Sequence, residues 1–102
     1  MDIELLYFDG CPNWHLTHER LTEALNATGS PGQAVRLRPV DTDATAQALR
    51  FPGSPTIRID GQDPFPAPGE TYGPTCRLYT TRDGLAGAPT VDQLVQVLTH
   101  GP

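Results

Sequence analysis

Residues 7–14 read YFDGCPNW, and this stretch joins two segments of different pattern. The run before it, DIELLYF at 2–8, is short, rich in apolar residues and followed by Asp-Gly, which predicts a buried strand. The segment at 13–29 repeats apolar residues every three or four positions and ends in glycine, which predicts an amphipathic helix. Pro12 suits the first turn of that helix, where a missing N–H is harmless. Cys11 therefore stands where a strand ends and a helix begins.

The rest of the chain alternates between strand and helix patterns. Further strands are predicted at 34–40, 56–60 and 75–81, and further helices at 41–51 and from Thr90 onward. Arginines on one face of 34–40 favour an edge strand, and Thr90 and Gln93 have the spacing of a capping box. The predicted order is β-α-β-α-β-β-α in a single domain. The helical crossovers imply parallel pairing of the first strands, and the last two strands most simply form an antiparallel pair.

Composition and charge exclude several classes of function. A chain of 102 residues can bury one core. Its net charge of −5 argues against a nucleic-acid partner, because neutralising phosphates requires a basic patch. No apolar run is long enough to span a bilayer and no N-terminal stretch resembles a signal peptide, which predicts a cytoplasmic protein with no membrane partner. In that compartment the two cysteines are expected as thiols rather than as a structural disulfide.

The position of Cys11 favours a reactive thiol. A helix N-terminus presents unpaired N–H groups and the positive end of the helix dipole, and both stabilise a thiolate relative to a thiol. Because the thiolate is the nucleophile, Cys11 is the candidate catalytic residue. The alternative is a buried cysteine that serves only as a small apolar side chain.

Three features together resemble the thioredoxin superfamily. They are the element order, Cys11-Pro12 at the start of the first helix, and SPT at 54–56 just before the third strand. The resemblance extends over the whole chain at the level of topology. It implies an α/β fold with one thioredoxin-like domain over 1–102, built on a four-stranded mixed sheet flanked by three helices.

The same resemblance implies a substrate cleft at Cys11, the attacking cysteine. Pro55 corresponds to the proline that the family holds in the cis form beside the sulfur. Ser54 corresponds to the residue whose backbone pairs with an extended substrate. The predicted substrate-binding residues are Pro12, Trp14, Ser54, Pro55 and Thr56. Core packing is the alternative role of Trp14.

The sequence departs from the family at the second cysteine. Dithiol oxidoreductases carry C-x-x-C, whereas this chain has CPNW, so Trp14 stands where a resolving thiol is expected. Cys76 is the other candidate thiol. It opens the predicted fourth strand, at the far end from Cys11 in the resembled fold, so a direct bond requires either that the 61–74 loop folds back or that the chain rearranges. A buried core thiol is the favoured state of Cys76, with the Cys11–Cys76 bond as the alternative.

The leading hypothesis is a thioredoxin-like thiol protein that performs thiol-disulfide exchange through Cys11, as a candidate oxidoreductase without a resolving C-x-x-C partner. Its expected partners are protein or low-molecular-weight thiols and disulfides, and a second thiol would come from solution. No cofactor is expected. Two alternatives stay open. In the first, the domain is a non-catalytic adaptor whose contact surface is the proline-rich 61–74 loop. In the second, its two thiols handle a soft metal or an organomercurial.

Histidines near Cys11 raise the question of a metal site. His15 and His18 give the spacing C-x3-H-x2-H. This spacing is not that of a recognised zinc site, so we expect surface histidines and no metal. Phe65 and Tyr72, in the long loop, are candidates for a lid over Cys11.

Overall fold

The structure is a computed structural model that describes residues 1–65 and 71–100. Its elements in chain order are β1 Ile3–Tyr7, α1 Asn13–Ala27, β2 Val35–Pro39, α2 Asp43–Leu49, β3 Thr56–Ile59, β4 Tyr79–Thr81, β5 Gly84–Ala86 and α3 Val91–His100. The predicted α/β class with three helices is confirmed. The residues at 66–70, within the predicted loop, and the predicted helix stop at Gly101 lie outside the described residues.

Among the described residues, the main sheet has three strands in the order β2-β1-β3. β1 pairs in parallel with β2, with Leu5 opposite Leu37, as the first helical crossover implies. β1 pairs antiparallel with β3, with Leu5 opposite Ile57. β2 lies at the edge of this sheet, as predicted. Since β1 is the central strand, the carboxyl end of β1 is held rigidly on both sides.

Helices cover both faces of the main sheet. On one face, side chains of β1 and β3 pack against α1 and α3 in a buried cluster of Ile3, Leu5, Leu21, Ala24, Leu25, Ile57, Ile59 and Leu94. On the other face, Leu6 packs with Val40, Ala46 of α2 and Phe51. Alternate residues of β1 thus enter opposite core layers, as side-chain alternation along a strand requires. None of the helices within 1–65 and 71–100 is long and apolar enough to cross a membrane.

The expectation of a four-stranded mixed sheet is wrong. β4 pairs with β5 in a separate two-stranded antiparallel sheet, with Thr80 opposite Leu85. The residues just before β4 run parallel to the start of β3, through a bridge between Ser54 and Cys76. An antiparallel hairpin of β3 and β4 needs the opposite chain direction at this point, so the predicted pairing of the last two strands does not form.

Two predicted details of local structure are confirmed. Pro12 occupies the N-cap position of α1 in helical geometry. At the start of α3, the Thr90 backbone N–H donates to Gln93 Oε1 at 2.9 Å, and the Gln93 N–H donates to Thr90 Oγ1 at 3.1 Å. This reciprocal pair is the capping box that the spacing of these residues predicts.

Candidate functional site

Cys11 lies between β1 and α1, at the carboxyl end of the central strand. Its backbone N–H donates to the Phe8 carbonyl oxygen at 2.9 Å, which closes the turn that ends β1. The residue is fully buried. Its sulfur is 3.7 Å from the Ser54 carbonyl oxygen. The predicted placement at a strand end and a helix start is confirmed.

Cys11 is joined to Cys76 by a disulfide, with a Cα–Cα distance of 5.7 Å. The expectation of Cys76 as a buried core thiol is therefore wrong, because Cys76 is exposed and bonded. The 71–76 segment folds back toward β3, so that Cys76 reaches the same end of the sheet as Cys11. The two half-cystines differ sharply in environment, since Cys11 is buried and Cys76 faces solvent.

Backbone hydrogen bonds hold Cys76 in place independently of the disulfide. The Ser54 N–H donates to the Thr75 carbonyl at 2.7 Å, and the Arg77 N–H donates to the Ser54 carbonyl at 2.9 Å. Gly53 permits this close approach: a Cβ there would lie 3.0 Å from Arg77 Cβ, and its φ of +127° suits glycine. The peptide bond between Ser54 and Pro55 is cis.

Arg77 anchors the same segment from inside the protein. Its residue exposure is only 5%. One guanidinium nitrogen donates to the Asp63 carboxylate at 2.6 Å and to Thr56 Oγ1 at 3.2 Å. The other terminal nitrogen donates to the Phe65 carbonyl oxygen. A buried cation with this many oriented acceptors fixes the position of the chain beside Cys76.

Tyr79 extends this anchor toward the residues around Pro55. Its hydroxyl donates to the Pro55 carbonyl oxygen. The Arg77 guanidinium carbon lies 4.5 Å from the centre of its ring, in a cation–π arrangement. Burial raises the pKa of Tyr79 above its usual value, and the nearby Arg77 charge opposes this effect only in part. The hydroxyl is therefore held in its neutral, donating form.

Asn13 and Gly87 form a second contact at Cys11. Asn13 Nδ2 lies 3.9 Å from Cys11 Sγ, where an amide N–H can donate to sulfur. A Cβ built on Gly87 would lie 2.2 Å from the same Asn13 nitrogen. A Cβ at that distance would displace the Asn13 amide, so glycine at this position lets the chain after β5 lie against the amide where it stands.

The predicted substrate-binding residues differ in accessibility. Ser54, Pro55 and Thr56 are buried, while Pro12 is exposed. The backbone N–H and carbonyl of Ser54, which the resemblance assigns to a substrate, already pair with the chain's own residues. Trp14 is partly buried and packs against the core.

Trp14 stacks with two rings, those of Tyr7 at the end of β1 and His15 in α1. The ring centres of Tyr7 and His15 are 4.2 and 3.8 Å from that of Trp14.

Within the residues that the structure covers, no group of three His, Cys, Asp or Glu side chains could hold a metal ion. His15 and His18 therefore form no such cluster there with Cys11. Of the two lid candidates, Phe65 packs edge-on against Tyr79, with 5.5 Å between ring centres.

Sequence reasoning missed Arg77, Asn13 and Gly87 as site residues. For Arg77 a signal was available: alternation over 75–81 places Arg77 and Tyr79 on one face of the segment, opposite Cys76 and Leu78. The structure buries the first two and exposes the other two.

Comparisons with protein-family models, with curated proteins and with solved structures found no match.

Proposed function

We propose that this protein performs thiol-disulfide exchange and that its redox-active pair is Cys11 and Cys76. The observation that carries the proposal is the asymmetry of the disulfide, in which an exposed Cys76 is bonded to a buried Cys11 at the start of a helix. An incoming thiol can approach the exposed residue, and the buried one becomes the leaving group. Each half-cystine thus has a distinct part in the reaction.

The first step is attack by an external thiolate on Cys76 Sγ. A bond forms between the external sulfur and Cys76, the Cys11–Cys76 bond breaks, and its electron pair goes to Cys11 as a thiolate. Exchange is faster when the leaving thiol has a low pKa. The start of α1 stabilises a negative charge on Cys11 through helix N–H groups and the helix dipole.

In the second step, the mixed disulfide is either reduced by another external thiol or converted back to the Cys11–Cys76 bond. A second external thiolate attacks the mixed disulfide at its external sulfur, which leaves both cysteines reduced and the two external thiols joined in a disulfide. In the reverse direction, Cys11 thiolate attacks the mixed disulfide at Cys76 and expels the external thiolate. Cys11 is then the nucleophile, the role that the sequence suggests for it.

Non-covalent contacts favour this return step. The hydrogen bonds at Ser54 and the Arg77 anchor do not involve either sulfur, so they can hold Cys76 near Cys11 after reduction. Two thiols that are held next to each other in one protein react as if each were present at a very high concentration. Cys76 therefore supplies the resolving thiol that CPNW lacks, from a distant part of the chain.

The likeness to the thioredoxin superfamily is part of this proposal. It is supported by the parallel β1-α1-β2 unit with Cys11 at the helix start, and by Ser54-Pro55 lying beside that cysteine. We also propose the cytoplasm as the compartment. A cytoplasmic disulfide is usually transient or redox-active rather than structural, which agrees with a pair that cycles.

The test is equilibration of the protein in glutathione redox buffers, followed by acid quenching, alkylation and mass spectrometry. We expect a reduction potential above about −300 mV, the range that separates exchangeable disulfides from structural ones. With glutathione disulfide, Cys11→Ser should accumulate a mixed disulfide at Cys76, whereas Cys76→Ser should react slowly at its buried thiol. A potential below that range, together with unfolding on reduction, would instead identify a structural disulfide.

A further inference from the structure

We propose that Asn13 stabilises the Cys11 thiolate by hydrogen bonding, and that Gly87 is the positioning residue that holds its amide in place. This inference rests on the proposed exchange function for its role in the reaction. The contact itself is a property of the folded chain. It is measurable in the reduced protein whether or not exchange is fast.

The first observation is the distance between the amide and the sulfur. Asn13 Nδ2 lies 3.9 Å from Cys11 Sγ while that sulfur is bonded to Cys76. A disulfide sulfur is a weak acceptor, whereas a thiolate carries a full negative charge. Hydrogen bonds to charged groups are roughly twice as strong as those between neutral groups. The amide therefore stabilises the product of bond cleavage more than it stabilises the disulfide.

The second observation is the close approach of Gly87 to the amide. A Cβ on Gly87 would lie 2.2 Å from Asn13 Nδ2 and 2.7 Å from Asn13 Cγ. The chain after β5 thus lies against one side of the Asn13 side chain, close to its amide. Contact on that side leaves the amide fewer rotamers to lose when it donates to the thiolate.

These contacts give the two cysteines different roles, with Cys76 as the attacked residue and Cys11 as the leaving group. When an external thiolate attacks Cys76, the electron pair of the broken bond goes to Cys11 Sγ, and the Asn13 N–H donates a hydrogen bond to the thiolate that forms. Stabilising that thiolate lowers the pKa of Cys11 and makes it the better leaving group. The effect directs attack to Cys76.

The experiment measures the pKa of the Cys11 thiol by the pH dependence of its alkylation, in protein that carries Cys76→Ser so that only one thiol reacts. Asn13→Ala is expected to raise this pKa by about one, a tenfold loss of thiolate at neutral pH. Asn13→Asp is expected to raise it further, because a carboxylate of the same size repels the thiolate. That repulsion acts whatever the role of Asn13, so Asn13→Asp shows only that this position senses the Cys11 charge, and Asn13→Ala carries the test.

Gly87→Ala tests the positioning role, and Gly32→Ala is its matched control because nothing lies within 4 Å of a Cβ at Gly32. We expect Gly87→Ala to raise the pKa of Cys11 as Asn13→Ala does, and to add nothing when Asn13→Ala is already present. An unchanged pKa in Asn13→Ala overturns the inference, even if the wild-type protein still exchanges at Cys76. A pKa that responds as expected in a protein that does not exchange overturns the proposed function alone.

Discussion

Replacing Arg77 with methionine should loosen the segment that carries Cys76. The substitution keeps much of the side-chain length but removes the ion pair with Asp63 and the hydrogen bonds to Thr56 and Phe65. Removing one partner of a buried ion pair typically costs about 3–5 kcal/mol. We expect about 3 kcal/mol here, because the Asp63 side chain is 20% exposed and regains some hydration. This is a large part of the stability of a small domain.

Urea denaturation of the reduced protein measures this loss without the disulfide. With a slope of about 1.5 kcal/mol per molar urea, a loss of about 3 kcal/mol lowers the midpoint by about 2 M. The position of Cys76 should also become less defined, so the effective concentration of the thiol pair falls. A tenfold fall makes the disulfide about 30 mV easier to reduce.

Arg82→Met is the matched control, since Arg82 is exposed in the turn between β4 and β5. Substitutions at such surface positions usually change stability by less than about 0.5 kcal/mol. If Arg77→Met behaves like Arg82→Met in both assays, Arg77 does not hold the segment. If it lowers the urea midpoint but leaves the reduction potential unchanged, Arg77 stabilises the fold without positioning Cys76.

Two further predictions concern alkaline pH and the cap of α3. The raised pKa of Tyr79 means that its neutral form is favoured on folding, so the contribution is complete below the usual tyrosine pKa of about 10 and is lost as pH rises through the folded value. The free energy of unfolding should therefore fall above about pH 10 in the wild type and fall less in Tyr79→Phe. Thr90→Ala removes the acceptor of the Gln93 N–H and should lower the free energy of unfolding by about 1 kcal/mol, measured against exposed Thr99→Ala. An equal loss in both threonine variants would contradict the capping role.

Local pattern predicts the elements of this fold well. The strand at 2–8, the helix after Cys11 and the capping box at Thr90 depend on residues close in sequence, and the structure contains all three. The placement of Cys11 at the junction of strand and helix follows from the same short stretch. Information of this range is sufficient because periodicity and caps act within a few residues.

The partner of a strand is harder to predict, because it depends on contacts between distant residues. The alternation at 75–81 correctly indicates an extended segment, but it does not say which neighbour that segment joins. Gly53 and Arg77 decide this, because they bring the segment beside Ser54 in the parallel direction. The bond between Cys11 and Cys76 depends on that placement, over a separation of 65 residues.

Arg77 is better explained by register than by stability. Well-packed apolar residues often stabilise a core as much as a buried ion pair does, so a gain in stability is a weak reason for a buried arginine. A shift of one residue relative to Ser54 would turn Cys76 inward and Arg77 toward solvent. The guanidinium forbids this shift, because its hydrogen bonds to Asp63 and Thr56 form only when Arg77 faces the core. Facing Arg77 inward keeps Cys76 on the outer side of the segment, exposed and bonded to Cys11.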